Sequence, residues 1–128
     1  MEWDFAADRP IYIQLKERIK RLIVSGAYPP GEKLPAVRDM AAEAAVNPNT
    51  LQKALAELER DGLVYARRTA GRFVTEDAAM IDKAKDELAR GQITAFFEGM
   101  AALGYTRDEA RRLIGPKLGE EKKTGEEK

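Results

Sequence analysis

The chain has neither cysteine nor histidine among its 128 residues. That removes disulfides, thiolate nucleophiles, imidazole bases and the usual zinc ligands together. An enzyme would have to work with carboxylates, lysines and hydroxyls, and no nucleophile-and-base arrangement of these is visible, so no catalytic site and no metal site is expected. There is no apolar run of about 18 residues, the length a membrane-spanning helix needs. The opening Met1-Glu2-Trp3-Asp4 lacks the basic-then-apolar pattern of a leader, so the expectation is a cytoplasmic protein without a membrane partner. Net charge is missing as well: 22 lysines and arginines balance 22 acids. Zero charge counts against a polyanion binder until it is divided by region. Up to Thr75 there are 12 basic and 10 acidic residues, a small surplus that the rest of the chain reverses. Val46 to Ala56 holds Lys53 and no acid, and Leu63 to Thr75 holds Arg67, Arg68 and Arg72 and no acid. Those two stretches form the candidate anion-binding footprint.

Hydrophobic residues make up 44% of the chain, enough for a modest core in one or two small domains. Pro10 suits a first helical position, and Ile11, Leu15, Ile19, Leu22 and Ile23 follow at the spacing of one buried helical stripe that Gly26 ends. Tyr28-Pro29-Pro30-Gly31 is a tight connection. Val37, Met40, Ala41 and Ala44 then mark a short second helix, weakly capped because Pro35 and Ala36 offer no side-chain acceptor. The third helix has a strong start: Asn47 can accept from freed N–H groups, and Pro48 has no N–H to satisfy. Gly62 stops it. With Leu51, Ala54, Leu55 and Leu58 turned inward, Asn49, Lys53, Ala56 and Arg60 lie opposite and Thr50 and Gln52 flank them, while Glu57, Glu59 and Asp61 gather at the far end.

Leu63 to Ala66 and Arg72 to Thr75 read as two short strands, with Arg67 to Gly71 as their turn, the wing of a winged helix. A longer helix follows from Glu76 to Gly104, with Ile81, Ala84, Leu88, Phe96, Met100 and Leu103 roughly on one side and Gly91 interrupting its middle as a candidate bend. Thr106-Arg107-Asp108-Glu109 fits a capping box for a last helix, which Gly115-Pro116 halts. The fold class expected is mainly α with a small β-hairpin. Residues 1–75 form a winged helix-turn-helix DNA-binding domain, residues 76–115 a helical dimerisation region, and residues 116–128 a disordered charged tail.

Several motifs in order, Pro10-Ile11-Tyr12-Ile13-Gln14-Leu15, Gly26 with Pro30-Gly31, Leu34-Pro35-Ala36-Val37-Arg38 and the Gly71 to Val74 wing, resemble the GntR family of bacterial repressors over roughly Pro10 to Val74. The run Val46 to Ala54 and the short helical C-terminal region resemble its YtrA subfamily. The resemblance implies a homodimer on a palindromic double-stranded DNA operator, paired through its C-terminal helices, with a small-molecule effector of open identity sensed near them. It also implies DNA contacts from Arg38, the start of the third helix and the wing. Ala36 stands where the family often has Ser, Pro48 where many members carry a base-reading Arg, and Thr69 where glycine is common.

The DNA-binding set expected is thus Arg38, Asn47, Asn49, Thr50, Gln52, Lys53, Arg67, Arg68 and Gly71. Asn49 and Gln52 suit adenine edges, and Lys53 suits guanine or phosphate. Each has a plainer reading. Asn47 and Pro48 are fully explained as cap and first turn, Arg38 could pair with Asp39 or Glu43, and the wing arginines could simply keep a hairpin soluble, Arg72 being undecided. The dimer seam expected is Ile81, Ala84, Leu88, Phe96, Phe97, Met100 and Leu103; adjacent Phe96 and Phe97 cannot face the same way, so one needs a partner chain for burial. The pairs Asp82/Asp86 and Asp86/Glu87 read as an exposed helix face, not a metal site. The rival reading is a winged-helix module that binds another protein without nucleic acid.

Overall fold

The computed structural model describes residues 3–115. Its elements run α1 (Ile11–Val24), α2 (Val37–Ala44), α3 (Pro48–Arg60), β1 (Val64–Arg67), β2 (Gly71–Val74) and α4 (Ala78–Ala102), followed by α5 (107–115). The chain is mainly helical with one antiparallel hairpin.

Two compact units meet between Glu87 and Leu88. In the first, Leu15, Ile19 and Ile23 of α1, Met40, Ala41 and Ala44 of α2, and Leu51, Ala54, Leu55 and Leu58 of α3 share one core, with Leu63, Val64 and Val74 brought in by the hairpin. Burying this contiguous apolar set is what holds the short elements together, since helices of 8 to 14 residues are marginal alone. The stripe of α1 differs at one end from the expected one. Ile11 is 37% exposed, while Gln14 is buried with its amide bonded to the backbone of Ala6 and Arg9. Pro10 sits at the cap position, one residue before the helix.

Only Ala45, Val46 and Asn47 separate α2 from α3. Ala45 takes a left-handed backbone (φ 58°), and the Val46 N–H bonds back to the Ala41 carbonyl at 3.0 Å, which satisfies an orphan carbonyl and turns the chain. Asn47 then caps α3, its Oδ1 accepting from the Asn49 N–H at 2.8 Å. At the other end Gly62 (φ 83°) performs the same reversal, with Leu63 N–H on the Leu58 carbonyl at 3.0 Å, and delivers the chain to β1.

The hairpin pairs Val64 with Val74, Tyr65 with Phe73, Ala66 with Arg72 and Arg67 with Gly71. Both strands are displaced one residue towards the turn from the expected ranges, because the turn is only Arg68-Thr69-Ala70 and closes with Ala70 N–H on the Arg67 carbonyl at 3.0 Å. The connection before α2 is more than a turn. Lys33 bridges to Phe73, and Gly31, Glu32 and Leu34 exchange backbone hydrogen bonds of 2.9 Å with Val74 and Arg72, adding a third edge to the hairpin.

The first unit extends past Thr75, the expected limit of the first domain. Ala84 is 5% exposed and belongs to the core, and Ile81 packs against it, so the opening turns of α4 are part of this unit. Of the expected seam residues, Ala84 is therefore already covered by its own chain and Ile81 partly so. Gly91 makes no interruption either: α4 is one helix of 25 residues through Gly91 and Gly99. A glycine costs an internal helix position about 1 kcal/mol, too little to break a ladder satisfied on both sides.

In the second unit Thr106 and Glu109 form the expected reciprocal cap of α5. Thr106 N–H donates to Glu109 Oε1 at 2.8 Å, and Glu109 N–H donates to Thr106 Oγ1 at 3.1 Å. The Thr106 backbone N–H first, and then the Thr106 side chain, hold the fully exposed Glu109 carboxyl below its ordinary value. Phe96 and Phe97 meet edge to face at 5.3 Å, and the Arg107 guanidinium covers the Phe97 ring at 4.3 Å. Residues 116–128, read from sequence as a disordered tail, lie outside the described residues.

Candidate nucleic-acid interface

The inward stripe of α3 leaves Asn49, Gln52, Lys53, Ala56 and Arg60 exposed and Thr50 half-buried. Asn47 has its acceptor engaged as the cap, so the structural reading accounts for that oxygen. Lys53 is held at the junction with α1, its Nζ 3.8 Å from the centroid of the Tyr12 ring. Arg38 stays exposed at the second position of α2. Its candidate partner Glu43 instead accepts from the Trp3 indole at 3.1 Å.

On the hairpin, Tyr65 and Phe73 stack at 5.7 Å, and the Arg67 guanidinium lies 5.1 Å from the Phe73 ring and 5.8 Å from the Tyr65 ring. This aromatic pair supports an exposed cation without neutralising it. Arg68 is exposed in the turn. Thr69, at a place where glycine is common in the family the chain resembles, has a left-handed backbone (φ 65°), an uncommon state for a β-branched residue. Gly71 (φ 107°) lies under Lys33, whose Cε would sit 3.0 Å from a Cβ at that position. A cleft of about 300 Å³ is lined by Lys33, Pro35, Ala36, Leu55, Ala70 and Gly71.

The acidic end of α3 is tied up residue by residue. Lys16 of α1 bridges Asp61 at 2.9 Å and Glu57 at 3.3 Å, and Arg72 of β2 holds Glu59 at 2.6 Å. The hydrogen bond to Asp61, followed by that to Glu57, outweighs partial burial and raises the Lys16 ammonium above its ordinary value. With those three carboxylates paired, the exposed edge of α3 and the hairpin present a cationic and amide surface from a chain of zero net charge.

Arg72, which the sequence leaves undecided, thus faces α3, and its Nη2 also donates to Gln52 Oε1 at 3.1 Å. Lys33 was missed by sequence reasoning. A single lysine in a proline- and glycine-rich connection carries no local signal, and only its non-local bridge to Phe73 brings it to the wing. Among the described residues no cluster of acids could hold a metal ion, and no helix is long and apolar enough to cross a membrane.

Residues 11–74 match the model of the family described as bacterial regulatory proteins, gntR family. The chain is 41% identical over 109 residues to the HTH-type transcriptional regulator YhcF of Bacillus subtilis, covering 85% of this chain and 90% of that protein. It is 37% identical over 100 residues to the HTH-type transcriptional repressor YtrA of the same organism, covering 78% and 72%. A GntR family transcriptional regulator from Listeria monocytogenes superposes with a TM-score of 0.77 at 34% identity, over 86% of this chain and 96% of that one. The DNA-binding domain of AraR in complex with operator ORX1 matches 59% of this chain and 96% of its own with a TM-score of 0.55 at 30% identity. The helix-turn-helix, the hairpin and these relatives agree: the chain belongs to the gntR family of bacterial regulatory proteins, in its YtrA branch, and is a DNA-binding transcriptional regulator, not an enzyme.

Proposed function

We propose that two copies of this chain bind a palindromic operator in the cytoplasm and repress transcription from it. Each α3 enters a major groove, and each hairpin reaches the flanking backbone or minor groove. One observation carries this reading: Asn49, Gln52 and Lys53 are exposed on α3, Arg67 and Arg68 on the hairpin, and the acids of α3 are neutralised by Lys16 and Arg72. The major groove is about 12 Å wide and admits one helix, and amide and cationic side chains near the start of that helix meet base edges. Arg38, Arg67, Arg68 and Lys33 suit phosphates, which supply affinity without reading sequence.

The second unit supplies the pairing. Among the described residues six large hydrophobics are exposed, and of them Ile93, Phe96, Leu103, Tyr105 and Leu113 lie in it. A monomer of this size seldom leaves such a set open to water, and a second copy covers it symmetrically. Leu88 and Met100 are half-buried within their own chain and flank the face that Phe96 and Leu103 open, while Phe97 turns away from it and is half-buried under Arg107.

Selection of bound duplexes from random DNA tests the proposal. It should return an inverted repeat whose half-sites are separated by about one helical turn, roughly 34 Å. Lys53→Ala and Arg67→Ala should each weaken binding and reduce the slope of log affinity against log salt by about 1. Binding and slope unchanged in both variants would remove the site assignment. Displacement of a bound protein partner by these substitutions, with no selective duplex found, would replace it with the protein-interaction reading.

A further inference from the structure

The link between Arg72 and Gln52 fixes what Gln52 can say to a base. Arg72 is anchored three ways. Its backbone pairs with Ala66 in the hairpin, its carbonyl accepts from the Leu34 N–H at 2.9 Å, and its Nε donates to Glu59 Oε1 at 2.6 Å. Gln52 and Glu59 are seven residues apart, two turns along the same face of α3, so a guanidinium held by Glu59 lies alongside Gln52. Its Nη2 donates to Gln52 Oε1 at 3.1 Å. A guanidinium has donors only, so the atom it meets must be the amide oxygen, which settles which way the Gln52 amide faces. Nε2 then carries its two hydrogens away from Arg72.

Glutamine reads adenine through both ends of its amide: Oε1 accepts from the N6 amino group while Nε2 donates to N7. Arg72 takes one of the two lone pairs of Oε1, and an adenine amino group would have to bring a second donor to the other lone pair beside a positive charge, which weakens the two-ended contact. Guanine offers two acceptors in the major groove, N7 and O6, and thymine offers O4; both match an amide that leads with its N–H groups. The expectation from sequence that Gln52 suits adenine treats the side chain as free, and the hairpin takes that freedom away.

We propose that Arg72, held by Glu59, orients the Gln52 amide so that it leads with its N–H donors into the major groove and selects guanine, then thymine, over adenine at one position of each half-site. Gln52 is the reading residue and Arg72 a positioning residue. The assignment rests on the reading that α3 enters a major groove.

The test compares duplexes selected from random DNA by the full-length wild-type chain and by Gln52→Ala, Arg72→Ala and Glu59→Gln. One half-site position should favour guanine over adenine by about tenfold in the wild type and lose that preference in Gln52→Ala alone among its positions. In Arg72→Ala the same position should shift towards adenine, while the other positions stay as they were; a purely structural role for Arg72 would blur all of them. Glu59→Gln keeps the size of the anchor and removes its charge, so it should move the same position in the same direction with the hairpin intact. The inference is overturned if the position erased by Gln52→Ala favours adenine in the wild type, or if Gln52→Ala erases none. It also falls if Arg72→Ala and Glu59→Gln both leave the preference unchanged. A wild type that selects no sequence at any position is a different result, which brings down the major-groove reading and this assignment with it.

Discussion

The side-chain amide of Gln14 closes a ring on the backbone of Ala6: Oε1 accepts from the Ala6 N–H at 2.6 Å, and Nε2 donates to the Ala6 carbonyl at 2.8 Å. A third bond runs from Nε2 to the Arg9 carbonyl at 2.9 Å, and the side chain is only 6% exposed. The segment before α1 is thereby clamped onto the helix. Gln14→Leu keeps the volume and removes all three bonds. The backbone of exposed Ala6 can turn to water, so the loss should be about 2 kcal/mol, not the larger cost of several fully orphaned groups. Urea unfolding at unchanged slope should show the midpoint fall accordingly; an unaltered midpoint would mean that the clamp contributes nothing to stability.

Gly26 and Gly62 separate two costs that usually come together. Both have left-handed backbones, φ 88° and 83°. A Cβ at Gly26 meets nothing within 4 Å, while at Gly62 it would collide with the Met80 methyl. Gly26→Ala should therefore lose about 1 kcal/mol from the backbone alone, the smaller flexibility of the unfolded chain offsetting part of it. Gly62→Ala should lose more, and adding Met80→Ala should leave only the backbone share attributable to the Gly62 change once the effect of Met80→Ala alone is subtracted. Equal losses at Gly26 and Gly62 would show that Met80 moves aside without cost.

What could be read from the sequence was local. Asn47-Pro48 with the stripe Leu51, Ala54, Leu55 and Leu58 and the stop at Gly62 specifies α3, because cap, periodicity and terminator lie within 16 consecutive residues. Thr106 and Glu109 specify the start of α5 in the same way. Contacts that cross the chain were not legible. Periodicity placed Ala84 on an apolar face of its helix without saying that the first core would cover that face. No local pattern joins Lys33 to Phe73, or Arg72 to Glu59 and Gln52, since the first pair meets only when the connection before α2 lines the hairpin and the others only when the hairpin docks on α3. The part of the candidate site's chemistry that is set by charge pairing therefore becomes visible only in three dimensions.

Lys16 gives that pairing a pH signature. Its ammonium is raised above the ordinary 10.5 by Asp61 first and then Glu57. A folded-state value above the unfolded one stabilises the protein fully below the unfolded value and loses that contribution as pH rises through the folded one. The wild type should thus lose stability relative to Lys16→Met as pH rises past the ordinary 10.5, with the two curves parallel at neutral pH. Every other group is common to both proteins, so the difference curve isolates Lys16. Parallel curves throughout the alkaline range would show that the bridge to α3 is too well solvated to matter.

The second unit separates association from stability more sharply than the apolar spacing alone suggests. Ile93 is 55% exposed and Leu103 74%, whereas Phe97 lies under Arg107 and Ala84 is enclosed in the first core. Ile93→Gln with Leu103→Gln should leave the helical content intact and weaken self-association. Four side chains per dimer at about 1 kcal/mol each amount to roughly a thousandfold in the dimer dissociation constant. Sedimentation equilibrium should then find monomers at concentrations where the wild type is dimeric, and operator affinity should fall because the two half-sites are no longer linked. Phe97→Ser should instead loosen α5 as well, and Ala84→Ser should lower the unfolding midpoint while the dimer persists. A wild type that sediments as a monomer, or a double variant as dimeric as its parent, would move the seam away from Ile93 and Leu103 and leave their exposure to some other partner.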